Sequence, residues 1–218
     1  MNSIPKVAGV ILAAGEAKRM GRGKLLLPFE GGTILGSVVS AARRSPLKPL
    51  VLVLGHGAKA IQAQMDLAGV VQVHNPNFRA GQSTSLKAGL AQLPVSCQGA
   101  LVLLGDQPRI TPALIETLLG SFNPQKDRLV IPTCQGRRGN PVLIHQALFP
   151  LIAKLEGDVG ARALFARFSE QTNWVAVDDC GIFQDVDTPA DYARLTGWQH
   201  QRGAPAGRGK RKPFTSPA

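Results

Sequence analysis

Val7-Ala8-Gly9-Val10-Ile11-Leu12-Ala13-Ala14-Gly15-Glu16-Ala17-Lys18-Arg19-Met20-Gly21-Arg22-Gly23-Lys24-Leu25 is the stretch on which the fold turns. Its first six residues are apolar and partly β-branched, with no polar alternation, the pattern of a parallel strand buried on both faces. The run breaks at small residues into a basic loop punctuated by Gly15, Gly21 and Gly23. A strand that ends in such a loop delivers backbone amides to a phosphate chain.

Downstream, the pattern predicts strands over residues 50–54, 70–74 and 100–104, alternating with helices over 34–44, 58–67 and a third ending near 92. Thr33 caps the first helix, Ser83, Thr84 or Ser85 the third, and Thr111-Pro112 opens a fourth. Four strand-helix units imply an α/β fold: a doubly wound, mostly parallel sheet with helices on both faces. Ligands then sit beyond the strands' carboxyl ends. The second half is less regular, with strands over 129–132, 141–144 and 174–177 and helices over 147–153 and 161–168. A closing helix is capped by Thr188 and opened by Pro189. Gly55-His56-Gly57-Ala58 reads as a tight strand-to-helix turn, because no acidic residue stands about 20 positions on at a strand end, as a dinucleotide fingerprint requires.

With 218 residues, 44% of them hydrophobic, the chain can bury the core of one domain, assigned to residues 1–197. The formal charge of +11 is concentrated at one end. From Gln199 onward Arg202, Arg208, Lys210, Arg211 and Lys212 stand among glycines and prolines with no acidic residue. Residues 198–218 are therefore expected to be a disordered basic tail, and binding of nucleic acid through it is the weakest functional alternative. No apolar run reaches the roughly 18 residues of a membrane span, and the start leads directly into a strand, so a cytoplasmic protein is expected. Cys97, Cys134 and Cys180 form no C-x-x-C pair and are expected to be reduced thiols. The four histidines lack ligand spacing.

The first loop is not a Walker loop: Lys18 stands six positions before Lys24 where glycine is required, and Leu25 replaces the hydroxyl residue. Arg19 and Lys24 nonetheless suit a triphosphate, as fixed donors where charge accumulates. Asp106 follows the fourth strand, where magnesium would meet phosphates; a lone carboxylate plus substrate oxygens is ordinary magnesium ligation. Asp185 and Asp187, two apart on an extended segment, share a face.

These elements together resemble the molybdenum cofactor cytidylyltransferases, a branch of the nucleotidyltransferase superfamily. The resemblance rests on Leu12-Ala13-Ala14-Gly15, Arg19-Met20-Gly21, Lys24-Leu25-Leu26-Leu27-Pro28, Gly81-Gln82-Ser83-Thr84-Ser85-Leu86 and Leu104-Gly105-Asp106-Gln107-Pro108. Gly139-Asn140-Pro141-Val142, Gly157-Asp158-Val159-Gly160-Ala161-Arg162 and Asp185-Val186-Asp187-Thr188-Pro189 extend it over residues 6–196. The chain departs from the pattern in two places: Glu16-Ala17-Lys18 follows the glycine where a small polar residue is usual, and Val159 fills a commonly basic place.

The resemblance implies a Rossmann-like fold and transfer of CMP from CTP to the terminal phosphate of molybdopterin, with Mg2+ as cofactor and a molybdenum hydroxylase apoenzyme as recipient of the product. It implies Lys24, Arg19 and Asp106 as catalytic residues and Asp106 with Asp187 as metal ligands, Asp185 being the second choice. Leu12, Ala13, Ala14, Gly15, Lys24, Asn75, Gly81 and Ser85 would bind nucleotide; Asn140, Asp158 and Arg162 would face the acceptor. Ala14, where related guanylyltransferases carry a second glycine, favours cytosine. A GTP-dependent enzyme, a sugar or polyol-phosphate nucleotidyltransferase and a non-catalytic cofactor carrier stand as alternatives.

Overall fold

The computed structural model describes residues 5–16, 20 and 23–197. The basic tail expected over 198–218, and Arg19, lie outside them.

β1 (Val7–Ala13) leads through the loop to the hairpin β2 (Pro28–Phe29) and β3 (Gly32–Thr33), then α1 (Ile34–Arg43), β4 (Leu50–Leu54), α2 (Ala58–Gln64) and β5 (Val71–His74). α3 (Gln82–Leu90), β6 (Gly99–Leu104), α4 (Pro112–Gly120) and β7 (Leu129–Cys134) follow. The remainder comprises β8 (Arg137–Arg138), β9 (Val142–His145), α5 (Phe149–Ile152), β10 (Thr172–Ala176) and α6 (Pro189–Thr196). The main sheet runs β10-β7-β9-β6-β1-β4-β5, with β8 paired to the end of β7. β1 lies parallel between β6 and β4, Leu12 opposite Leu104 and Val53. β9 is antiparallel to both its neighbours. The expected doubly wound, mostly parallel α/β architecture is the one observed.

Two apolar layers fill the faces. Leu35 and Val38 of α1, with Leu114, Ile115 and Leu118 of α4, cover one face together with Ile11, Leu52 and Leu103. Leu86 and Leu90 of α3 and Ile152 of α5 cover the other with Val10, Val53 and Val102. Both faces being covered explains why β1 and β4 show unbroken apolar runs. Thr33 and Thr111 cap α1 and α4, accepting from Gly36 N and Leu114 N; each such cap is worth about 1 kcal/mol.

Three expectations are corrected. α3 begins at Gln82 behind Gly81, without a side-chain cap. The three hydroxyls proposed for that role turn elsewhere: Ser83 Oγ donates to Gly157 O, Thr84 Oγ1 donates toward the Asn77 and Gly81 carbonyls, and Ser85 Oγ accepts from Asn75. The helix expected over 161–168 is a 3-10 turn, Ala161–Leu164, and that expected over 147–153 shrinks to a turn plus the four residues of α5. Short apolar stretches between turn residues carry too little periodicity to distinguish these states.

The third correction concerns the thiols. Cys134 and Cys180 form a disulfide with Cα atoms 5.5 Å apart, and Cys97 remains a free, buried thiol. Spacing hides the pair, because the cysteines are 46 residues apart. Topology unites them: β10 pairs in parallel with β7, Ala176 opposite Thr133, so the segment after β10 emerges beside Cys134. Closing a loop of that length in the unfolded chain stabilises a fold by roughly 2–4 kcal/mol.

Candidate active site

The carboxyl ends of β1 and β6 open onto a cavity of about 900 Å³. Leu12, Ala14, Gly15 and Glu16 line one side, and Phe78 to Gln82 with Ser85 another. Asp106, Asp185 and Asp187 form its acidic corner, and Asp158 and Arg162 complete the wall. A smaller cavity of about 280 Å³ adjoins it, sharing Leu12, Gln82, Leu104 and Arg162 and reaching Arg138, Asn140 and Phe165.

Lys24 holds the acidic corner together. Its Nζ donates to Asp106 Oδ2 at 2.5 Å and to Asp187 Oδ1 at 2.9 Å, with only 13% of the side chain exposed. Burial alone would lower the lysine's pKa, but Asp106 and Asp187 outweigh it and hold it above the ordinary value. A protonated lysine supplies fixed positive charge and cannot serve as a base.

Distant elements deliver the three residues. Asp106 follows β6, and its carbonyl accepts from Val186 N at 3.0 Å, which locks the Asp185-Val186-Asp187 segment alongside. Val186 is buried with Met20, Leu27, Phe29 and Ile34, and Tyr192 of α6 donates from its hydroxyl to Pro28 O at 2.8 Å. The β2–β3 hairpin and α6 thus bring the Asp185–Asp187 segment against the residues that follow Lys24. α6 is capped by Thr188, with Asp191 completing a capping box. Partial burial raises the pKa of Asp185, and the nearby charges of Asp106, Asp187 and Asp191 add to the rise. That crowding of carboxylates is what a cation relieves.

The opposite wall is built by close backbone approach. Gly81, at φ +112°, would place a Cβ 2.3 Å from the carbonyl of Gly157, so only glycine fits. Asp158 then accepts from Gln82 N, the first residue of α3, at 3.2 Å. Gly55 approaches Ala14 so closely that a Cβ there would lie 2.7 Å from the Ala14 carbonyl, which accepts from His56 N. The turn after β4, with Gly57 left-handed at φ +73°, is the tight strand-to-helix turn that the sequence predicts.

Among the nucleotide-binding candidates, Leu12, Ala14, Gly15, Gly81 and Ser85 line the larger cavity. Ala13 is buried in the core and does not line it. Asn75 is buried too, its amide donating to Thr84 Oγ1 and Ser85 Oγ and its Oδ1 accepting from Asn77 N. Asp158 and Arg162 share the larger cavity, and Asn140 lies in the smaller one. Glu16, Phe78, Arg79 and Arg138 join the site without having been singled out by the sequence as binding residues. Arg79 pairs with Glu16 at 2.7 Å and lies over the Phe78 ring, and Arg138 lies over Phe165 at 4.9 Å. Their signal is present in the departure at Glu16 and in the two arginines preceding Gly139-Asn140.

The donor set fits a divalent ion shared with substrate. Among the described residues no three His, Cys, Asp or Glu side chains form a cage. Asp106 and Asp187 sit together at the cavity instead, and a carboxylate pair with phosphate oxygens or water is the kind of donor set a magnesium-type ion takes.

A parallel sheet with a glycine-rich loop at its carboxyl edge, facing a lysine-bridged carboxylate pair, defines a Rossmann-like nucleotidyltransferase. The chain belongs to the family of MobA-like NTP transferase domains, whose pattern matches residues 9–173. It is 33% identical over 200 residues to the nicotine blue oxidoreductase of Paenarthrobacter nicotinovorans, covering 88% of this chain and 97% of that one. It is 26% identical over 184 residues to the molybdenum cofactor cytidylyltransferase of Escherichia coli, covering 84% and 92%. The crystal structure of Rv0371c from Mycobacterium tuberculosis superposes with a TM-score of 0.81 at 32% identity, over 90% of this chain and all of that one. Another crystal structure of Rv0371c is a complex with manganese, with a TM-score of 0.75 at 33% identity over 88% of this chain and 98% of that one. Among the described residues no helix is long and apolar enough to cross a membrane.

Proposed function

We propose that this nucleotidyltransferase transfers CMP from CTP to the terminal phosphate of molybdopterin, giving molybdopterin cytosine dinucleotide and pyrophosphate. The observation that carries the reading is the contact of Lys24 Nζ with both Asp106 and Asp187 at the mouth of the glycine loop.

In the transfer, an oxygen of the acceptor phosphate forms a bond to the α-phosphorus as the bond to the bridging α–β oxygen breaks, and pyrophosphate leaves. The attacking phosphomonoester is largely ionised at neutral pH, its second pKa being about 6, so no general base is required. Catalysis then reduces to positioning and charge stabilisation. Leu12 to Gly15 approach base and phosphates, with Gly81 and Ser85 opposite them and Asn75 holding Ser85 in place. Lys24, with Arg19, opposes the charge that develops on the triphosphate. Asp106 and Asp187 would hold Mg2+, which when bound neutralises phosphate charge. Asn140, Asp158 and Arg162 face the acceptor, whose phosphate the positive charge of Arg162 favours. A molybdenum hydroxylase apoenzyme would receive the product.

The experiment is pyrophosphate release with Mg2+ and molybdenum-loaded molybdopterin, offering CTP, GTP or ATP separately. Release with CTP alone is expected. Release with GTP alone would keep the chemistry and replace the nucleotide; no release with any would overturn the acceptor. Oxidation or reduction of nicotine blue without pyrophosphate release would replace transfer by the redox chemistry named for the Paenarthrobacter relative.

A further inference from the structure

The Cys134–Cys180 disulfide sits where two functional segments part. Cys134 ends β7, and six residues later Asn140 reaches the smaller cavity. Cys180 opens the 3-10 turn Cys180–Phe183, and five residues later the chain enters Asp185-Val186-Asp187. The two branches also touch beyond the disulfide. Asn140 N donates to Ile182 O at 3.2 Å, and Gly139 packs so tightly on Ile182 that a Cβ would fall 2.5 Å from its Cγ1.

The turn itself is small and held by few bonds. Asp179 Oδ1 accepts from Gly181 N at 2.8 Å, Gln184 N donates to Gly181 O and Asp185 N to Phe183 O. Val186 N then reaches Asp106 O. A shift at Cys180 therefore passes along the turn and the Asp185-Val186 step to Asp187, seven positions on, whose carboxylate meets Lys24. Cys134 is buried and Cys180 half-buried, so a reductant meets the Cys180 sulfur first.

We propose that this disulfide is a redox-controlled tether that positions Asp187 beside Asp106, so that the oxidised chain binds a divalent cation more tightly than the reduced one. The inference rests on the reading of Asp106 and Asp187 as metal ligands. A dithiol opens the tether: its two sulfurs join in a new S–S bond, two electrons pass to the protein, and Cys134 and Cys180 each take up a proton. Cys134 and Cys180 are positioning residues. Coupling of this kind is reciprocal, so bound metal makes the disulfide harder to reduce by the same factor.

The test measures Mn2+ affinity of the full chain by electron paramagnetic resonance, before and after reduction with dithiothreitol and its anaerobic removal. Alkylation counts the thiols, and circular dichroism checks the fold at each step. Reduction is expected to weaken Mn2+ binding roughly tenfold, within the usual range of coupling between sites. The dithiol concentration needed for half reduction should rise by the same factor when Mn2+ is present. Cys134→Ser with Cys180→Ser should match the reduced chain and lose all redox dependence; if that variant fails to fold, the reduced wild-type chain decides. Equal Mn2+ affinity in both redox states overturns the tether alone. No Mn2+ binding in either state overturns the metal site, and the tether with it.

Discussion

Lys24 and Asp106, 82 residues apart in the chain, meet at 2.5 Å where the glycine loop faces the end of β6. The lysine ammonium is nearly buried and fixed in place before any substrate arrives. Preorganised charge of this sort costs no reorganisation during reaction, which is why it is worth more than the same charge in water.

Lys24→Ala should therefore reduce turnover by about 10²–10³-fold, the effect of removing one preorganised transition-state donor. It should also leave Asp106 and Asp187 facing one another without their shared cation. The measurement is kcat for pyrophosphate release, with circular dichroism confirming the fold. Near-normal turnover would remove Lys24 from the chemistry.

Asp187 and Asp185 are separated by a single residue, yet Asp187 bonds Lys24. Asp187→Asn should abolish most Mn2+ binding, and Asp185→Asn should weaken it less, because Asp187 shares the Lys24 ammonium with Asp106. Calorimetric titration of each variant with Mn2+ compares the two. The reverse order would make Asp185 the ligand.

Much of this fold is readable because each piece carries a local signal. The buried run of β1, the capping threonines at 33, 111 and 188, and the alternation of apolar strands with amphipathic helices each follow from a few adjacent residues. The contacts of Lys24 are different in kind. They span 82 and 163 residues and depend on β1, β6 and α6 packing together, so no local pattern states them. The disulfide escapes a reading of spacing for the same reason: Cys134 and Cys180 become neighbours only because β10 docks parallel to β7. Asn75 shows the converse, since an amide beside a turn is visible in sequence but its three side-chain bonds, one to the loop and two to α3, are not.

Gly81 and Gly157 both lie at positive φ on facing segments, but of the two it is Gly81 that lacks room for a Cβ. Gly157→Ala should cost about 1 kcal/mol, the penalty of a left-handed alanine. Gly81→Ala adds a backbone clash and should cost roughly 3 kcal/mol or more, with loss of nucleotide affinity as the Gly157–Asp158 wall is pushed back. Urea unfolding of the two variants tests the difference. Equal stability would mean that the two segments do not pack as described.

Ala14 lines the larger cavity yet is only 3% exposed, with its methyl group against the Gly55 turn. Ala14→Gly removes that methyl group and frees the loop backbone beside the nucleotide cavity. The ratio of kcat/KM for CTP to that for GTP should fall by about tenfold, the low end of the roughly 10–200-fold that one methylene group discriminates in a pocket. An unchanged ratio would place nucleotide choice elsewhere in the cavity.

His145 supplies a pH dependence remote from the site. It is buried at the end of β9, its ring 6.0 Å from that of Phe122, and its Nδ1 accepts from Ala147 N at 3.0 Å. Burial lowers its pKa below the ordinary 6.5, the charge of Arg128 lowers it further, and a backbone hydrogen bond at Pro124 offsets part of the shift. The folded state therefore takes up a proton less readily than the unfolded chain. Its contribution to stability is fully present above pH 6.5 and is lost as pH falls through the folded pKa. Protonation at Nδ1 would also set two donors against each other at Ala147. His145→Asn keeps a short acceptor for that amide and carries no titrating ring. Between about pH 7.5 and pH 5 the Tm of the wild-type chain should fall further than that of the variant, and parallel Tm profiles would show that His145 does not contribute.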